Sequence, residues 1–517
     1  MAIDTLYYGG KIITMDEGSP TADWVAVSGG KIEAVGAGGA ALPGGAGETV
    51  DLGGAVMLPG LYDAHCHVMP TGLFLSGANL LDARSIDDTL ELLSARCADT
   101  PAGEWVFGGG FMSQNMKEGR YPTKDELDRV STQHPILLAA QTLHGGSLNS
   151  MGLSKVDIPD VAGVGRGSDG QLDGTLLSDD AFFPTMSHVM GMLPDETLRG
   201  FIDECARYAS TKGTTSIIGL LGQFVDGDAD VSIIENNKGG FPVDFTTFYQ
   251  TWDLGKTDAF GLPRIGGCLT LDGAGFEYTM ALQDVYPEHP ERRGFLIHTD
   301  EEIYRLISEA HRRGIQTAFH ALGDRAIDQL LFVFRQVIGE QGDKSLRHRI
   351  EHFSLPSDAH MDMAAEMGLI CSMQPAFTAL WGEPVNGYYD LLLGRERAAR
   401  MEVFPEILKR GGVICGGSDS PVTLVDPIFG IAALICNPDP RRNVSVTDAL
   451  KIFTINSAYS VHQERTKGTI EKGKDADFTV VDRDPYQFEA DKGIYETKAL
   501  MTVRSGRLIY DGRNAPA

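Results

Sequence analysis

At 517 residues the chain is longer than one hydrophobic core usually organises, which predicts a large domain and a smaller one. Hydrophobic residues at 42% and charged residues at 22%, with 62 Gly and 24 Pro, describe a globular protein rich in tight connections and not a low-complexity chain. With 44 Lys and Arg against 71 Asp and Glu, the net charge of -27 repels phosphate backbones and anionic lipid, which argues against nucleic-acid and membrane-surface partners.

The opening MAIDTLYYGGKIITMD carries an acid at Asp4 and has no basic segment ahead of an apolar run, so no secretory signal is expected, and no stretch reads as membrane-spanning. Seven scattered cysteines (Cys66, Cys97, Cys205, Cys268, Cys371, Cys415, Cys436) suit reduced thiols and a cytoplasmic location. The Asn443-Val444-Ser445 triplet accepts a glycan only in a secreted chain and weighs little against this.

Tyr7 to Met15 and Trp24 to Val35 are short β-type runs punctuated by Gly9-Gly10 and Gly29-Gly30, and Asp477 to Asp482 and Ala499 to Tyr510 repeat that texture at the far end. Neither end has enough strands to bury a face alone, which predicts one small β-sandwich assembled from 1–57 and 465–517. The interior, 58–464, is then an inserted barrel domain.

Leu58 to Met69 (LPGLYDAHCHVM) reads as an apolar strand ending in His65 and His67. Residues two apart share a face, so both imidazoles can reach one cation, while Cys66 points to the outer layer as a small packed hydrophobe. Further on, a capping box of Thr299 and Glu302 opens a helix with the apolar stripe Ile303, Leu306, Ile307, Ala310, and Gly314 stops it. The strand Ile315 to His320 follows, then a helix capped by Asp324, the strand Arg347 to His352, a helix capped by Ser357, and the strand Leu369 to Met373. This march predicts an open doubly wound sheet or a closed (β/α)8 barrel, and no GxGxxG follows the first strand to support a dinucleotide site.

His320, His352 and Asp419 each fall at the end of a strand, on the side where barrel enzymes build their sites. One constellation of His65, His67, His320, His352 and Asp419 explains all five, and imidazoles with a carboxylate suit Zn²⁺. Such an ion brings the pKa of bound water from about 15.7 to about 7, worth ~12 kcal/mol of hydroxide stabilisation. Asp419 is then the expected general base and acid, taking the water proton and returning it to a leaving nitrogen.

HxH on the first strand, His after the fifth and the sixth, and Asp after the eighth resembles the amidohydrolase superfamily. The segments WVFGGGF, PTKDELDRV, FHALGDRAID, RIEHF, SMQP, GGSDSPV and GTIEKGKDADFTVVD resemble its YtcJ-like branch, which includes N-substituted formamide deformylases. The resemblance covers nearly the whole chain and implies an α/β fold, a TIM barrel with a two-ended β-sandwich. It implies hydrolysis of an amide or related non-peptide C–N bond in a small molecule by a metal-activated hydroxide. His144, followed by Asn149 and Ser150 as in the family, is implied as a substrate contact, with a buried structural role as the alternative. Phe377 and Trp381, in the loop after the seventh strand, either line a substrate pocket or simply pack. Asp324 reads as a cap and Arg325 as a loop anchor.

Many relatives carry a carboxylated lysine on the fourth strand that bridges two metals. Here Gly267-Cys268-Leu269-Thr270-Leu271-Asp272-Gly273 sets Cys268 at that place, so the site holds one or two divalent ions without a carbamate bridge. Either Cys268 ligates, joining His320 and His352 around a tighter zinc with His65, His67 and Asp419 at a weaker one, or it fills space beside a mononuclear site. Ring-deaminating relatives resemble this set but place a Glu three residues after the fifth-strand His; Ala321, Leu322 and Gly323 follow His320, which argues against that alternative. A non-catalytic scaffold would have lost the ligands. Oligomeric state stays open, a homo-oligomer included.

Overall fold

A computed structural model describes residues 3–383, 387–487 and 492–513. Eight parallel strands follow one another in spatial order as in sequence: Leu61–Cys66, Thr214–Leu221, Asp244–Tyr249, Arg264–Thr270, Gln316–Ala321, Arg349–His352, Ile370–Met373 and Val413–Gly416. Their inward side chains, among them Tyr62, Ala64, Leu220, Phe248, Ala318, Ile370 and Cys415, form one buried cluster. The seam between the eighth and first strands is closed by the loop beyond the eighth: Asp419 N–H donates to His65 O at 2.8 Å and His67 N–H to Ser420 O at 3.0 Å.

Helices cover the outside because their sequences offer one apolar stripe each. Thr299 and Glu302 form the expected capping box of Asp300–Arg312, whose Ile303, Leu306, Ile307 and Ala310 are buried against the barrel with the helix Asp324–Gln341. Ser357 caps Asp358–Met367 as expected, and Gly368 ends it at φ 67°. Asp324 does not cap its helix. Gly323 occupies that position without a side-chain bond, and the Asp324 carboxylate instead accepts the Gln283 N–H at 2.9 Å.

The chain ends join in one eight-stranded sheet whose path runs from Arg507–Asp511 through Ala499–Arg504 and Phe478–Val481 to Val56–Pro59 and the N-terminal strands. Tyr7, Val25, Met57, Phe478, Val480 and Val503 make its core. A third sheet of six strands, from Ala78–Asn79 to Leu172–Leu176, is inserted between the first and second barrel strands. The alternation pattern of the sequence does not reveal it. No helix among the described residues is long and apolar enough to cross a membrane.

Close approach at the seam makes a test. A Cβ added at Gly417 would stand 2.5 Å from His65 N, whereas at Gly200, exposed in the helix Asp195–Thr211, it meets nothing within 4 Å. Gly417→Ala is expected to lower the thermal midpoint by forcing the seam apart. Gly200→Ala is expected to stabilise by about 0.5–1 kcal/mol, since alanine loses less backbone freedom in a helix. Calorimetry on both variants checks the contrast; a neutral Gly417→Ala would show that the seam yields.

Candidate metal centre

The donor atoms expected from the sequence converge at the C-terminal mouth of the barrel. The first strand ends earlier than its apolar run suggests, at Cys66, and His67 stands at the head of the helix Val68–Ser76, yet both imidazoles still meet one carboxylate. Asp419 Oδ1 lies 3.1 Å from His65 Nε2 and 3.2 Å from His67 Nε2. His65 and His352 rings are 4.9 Å apart between centroids, and His352 and His320 rings 4.7 Å. Cys268 Sγ approaches His352 Nε2 to 3.6 Å. Two triads have donor atoms within 4.8 Å of one another, His65 with His67 and Cys268, and His65 with His352 and Asp419. Cys268 therefore joins the first-strand histidines while also meeting His352, and His320 lies beside both sets without completing a triad.

The backbone reaches this arrangement through strained conformations. His352 and Asp419 hold φ at 72° and 57°, the left-handed region that side chains other than glycine rarely adopt, and such strain persists only where the surroundings over-determine it. The groups also fit a cation. His65 Nε2 is buried with no hydrogen-bond partner among the described residues, despite its approach to Asp419, so these two atoms face a common point more than they bond each other. Burial opposes charge on Asp419, but His65 and His67 outweigh it and hold its carboxyl well below the usual carboxylate range. Burial, reinforced by the charge of His320, pushes His352 down to about 3, leaving a neutral ring with a lone pair to give. Burial pushes the Cys268 thiol up to about 11, so the sulfur becomes a ligand only beside a cation strong enough to ionise it.

Behind the donors stands a set of residues that sequence reasoning did not single out. Glu351 accepts from His65 Nδ1 at 2.6 Å, and Arg349 grips the same carboxylate through Nε at 2.7 Å and Nη2 at 2.9 Å. Burial opposes ionisation of Glu351, yet Arg349 and His65 bring its carboxyl down to about 2. His352 Nδ1 meets Gln374 Oε1 at 2.8 Å. The Asp63 carboxylate accepts from His65 N at 3.1 Å and Ser418 N at 3.0 Å, and Asp272 from Ala281 N, Leu322 N and Gly323 N. The available signal was two opposite charges in the short buried strand RIEH, since a buried charge demands a partner.

The centre opens into a cleft with a mostly apolar wall that includes Phe183, Phe224, Phe276, Phe377, Trp381 and Tyr388. Phe377 and Trp381 reach it from the helix Pro375–Trp381, not from a loop, and pack at 4.8 Å between ring centroids. His144 comes from the inserted sheet, at the turn between Ile136–Ala140 and Gly146–Leu148, and its Nδ1 lies 2.6 Å from Asp179 Oδ1. Burial works against an imidazolium there, but the charge of Asp179 prevails and raises His144 to about 9. His144 is thus a cation in the wall at neutral pH.

Glu351 orients His65 from behind, and removing such a support from a metal-binding histidine costs about 10–100-fold in metal affinity. Glu351→Gln is expected to weaken divalent-ion binding by that factor. Because it strands the Arg349 charge, stability should fall as well, and the double change Arg349→Met with Glu351→Gln should restore stability but not affinity. Chelator competition and thermal melts separate the two effects; unchanged affinity in Glu351→Gln would make the carboxylate a packing element.

The sequence profile of the Amidohydrolase family matches residues 48–510. The chain is 28% identical over 486 residues to a protein of Bacillus subtilis (strain 168) named as amidohydrolase YtcJ, covering 88% of this chain and 89% of that one. It is 26% identical to the N-substituted formamide deformylase of Arthrobacter pascens, covering 98% of each. Among solved structures, an uncharacterized metal-dependent hydrolase from Pyrococcus horikoshii OT3 superposes with a TM-score of 0.76 at 22% identity, over 94% of this chain and 98% of that one. With a family profile spanning nearly its full length and the expected barrel beneath it, the chain belongs to the amidohydrolase family.

Proposed function

We propose that the protein is a zinc-dependent hydrolase of an amide or related non-peptide C–N bond in a small molecule, working in a reducing compartment such as the cytoplasm. The observation that carries this reading is the gathering of two overlapping triads, His65 with His67 and Cys268 and His65 with His352 and Asp419, at the mouth of a largely apolar cleft. The similarity to an N-substituted formamide deformylase supports an amide substrate. His65, His67, His320, His352 and Asp419 would hold one or two divalent ions, with Cys268 either a further ligand or a space-filling neighbour. When bound, a divalent cation supplies Lewis acidity and makes water ionise near neutral pH.

The chain's own groups do the rest. Asp419, ionised and facing the two first-strand histidines, takes a proton from the attacking water and delivers it to the departing nitrogen, without which an amine is a poor leaving group. Burial keeps His352 and His67 neutral, each with a lone pair to offer a cation. The His144 imidazolium, fixed by Asp179, is placed to donate to the substrate's acyl oxygen as negative charge builds on it. Aromatic side chains around the centre exclude water and bury the apolar part of the substrate. The acid that ring deamination needs three residues beyond His320 is absent from the site, because Gly323 stands there, and its backbone is held by Asp272.

Two outcomes are expected. In a screen of N-formyl and N-acyl amines, Asp419→Asn should lose about 10²–10⁴-fold in kcat while keeping its metal, as for loss of a general acid-base group; kcat within tenfold of wild type would assign the proton transfer elsewhere. Since His144 is cationic up to about pH 9, kcat/KM should fall as pH rises through that value. In His144→Gln that descent should vanish, and a pH profile of both proteins shows whether it does.

A further inference from the structure

One charged side chain lining the cleft has no part in the chemistry above. Glu402 is 1% exposed and holds φ at 52°, in the left-handed region, with its N–H donating to Ser354 O at 2.7 Å. Its carboxylate accepts one hydrogen bond among the described residues, from Tyr389 Oη at 3.3 Å. The guanidinium whose charge reaches it, Arg442, is committed elsewhere. Arg442 Nε donates to Met401 O, Nη1 to Gly382 O and Asp439 Oδ2, and Nη2 to Ala398 O, at 2.9–3.2 Å. Burial accordingly pushes the Glu402 carboxyl up to about 8, with Arg442 pulling the other way, so the group stands close to ionisation at neutral pH.

A carboxyl kept in a buried wall without a bonded cation is costly for the fold, and a strained backbone at the same residue adds to that cost. Two more oxygens of the cleft lack partners: Ser354 Oγ and Tyr388 Oη are buried with no hydrogen bond among the described residues. Around them runs a chain of aromatic contacts, with ring centroids 4.8 Å apart for Phe377 and Trp381, 5.3 Å for Trp381 and Phe276, and 4.2 Å for Phe276 and Tyr388. Aromatic faces and carboxylates together are the environment that organic cations prefer, and an ammonium offers three N–H donors to such oxygens. The net charge of -27 draws cations toward the molecule as well.

We propose that this wall is a receptor for a cationic nitrogen of the substrate, with Glu402 as the residue that selects for it. An ammonium seated among Phe276, Trp381 and Tyr388 donates to the Glu402 carboxylate, with Ser354 Oγ and Tyr388 Oη as the further acceptors. The inference rests on reading the cleft as the substrate site of the hydrolase, and it narrows the substrate class to amides whose apolar body carries a protonated amine.

The test uses two unreactive probes on the metal-loaded enzyme at neutral pH, phenethylammonium and phenethyl alcohol, titrated calorimetrically. Protonated, the amine has no lone pair for a metal whereas the alcohol oxygen has, so any metal contact favours the alcohol and tighter binding of the ammonium reads charge recognition. The ammonium is expected to bind about tenfold tighter than the alcohol or more, the scale of one charge-assisted contact in a partly desolvated site. Glu402→Gln should remove most of that preference, and Trp381→Leu should reduce it, with melting temperatures confirming that both variants fold. Equal affinity of the two probes for the wild type, no measurable binding of the ammonium, or an intact preference in Glu402→Gln overturns the receptor. The wild-type comparison stands even if a variant does not fold. Because neither probe has a scissile bond, an enzyme that keeps the ammonium preference but cleaves no amide would sink the proposed reaction and leave the receptor in place.

Discussion

A barrel must close, and here the closing contact and the candidate centre are the same few atoms. The first and eighth strands do not pair along their length; the loop after the eighth completes the seam through Asp419 N–H to His65 O and His67 N–H to Ser420 O. Asp63 fastens both sides at once by accepting from His65 N and Ser418 N. The same main chain that shuts the cylinder thus sets where the His65, His67 and Asp419 side chains begin. Displacing the seam by an ångström misplaces three donor groups together, which ties folding to chemistry more tightly than a site on independent loops would.

The interior behind that seam is unusual in what it buries. Most of the barrel's inward cluster is apolar, yet Arg349 and Glu351 lie fully buried among it, the guanidinium 4.8 Å over the Phe248 ring. A buried ion pair rarely adds stability over an apolar filling of the same volume, because each charge gives up its hydration. Its effect here is directional. With one carboxylate oxygen 2.6 Å from His65 Nδ1, the imidazole presents Nε2 toward Asp419, and the ring cannot turn without stranding a charge. Arg349 also donates to Ala64 O and Ser372 Oγ, spanning from the first strand to the seventh.

Much of this was legible in the sequence because local chemistry agreed with the global fold. The capping box at Thr299, the cap at Ser357 and the glycine stop at Gly314 need no tertiary information, and they set the spacing of strands that then placed His320 and His352 at the barrel mouth. Period-two reasoning failed where the backbone left ideal geometry. His352 turns to φ 72°, so alternation along RIEH gives no way to see that Glu351 and His352 both serve the centre. The inserted sheet was missed for another reason: its strands, such as Ile136–Ala140, are short apolar runs that read equally well as barrel strands. Phe377 and Trp381 were legible as wall residues but not as helical ones, since Pro375 at the first turn starts a helix as readily as it breaks a strand.

That inserted sheet divides the labour of the molecule along the chain. The candidate metal ligands belong to the barrel, whose register ties them to one another, whereas His144, Thr142 and Leu143 reach the cleft from a hairpin turn that hangs from a separate sheet. Lengthening or recolouring that turn leaves every seam bond untouched. Lineages built on this plan are therefore free to drift in what they accept while inheriting the reaction unchanged, and divergence among them should accumulate between residues 78 and 176 sooner than at the barrel mouth.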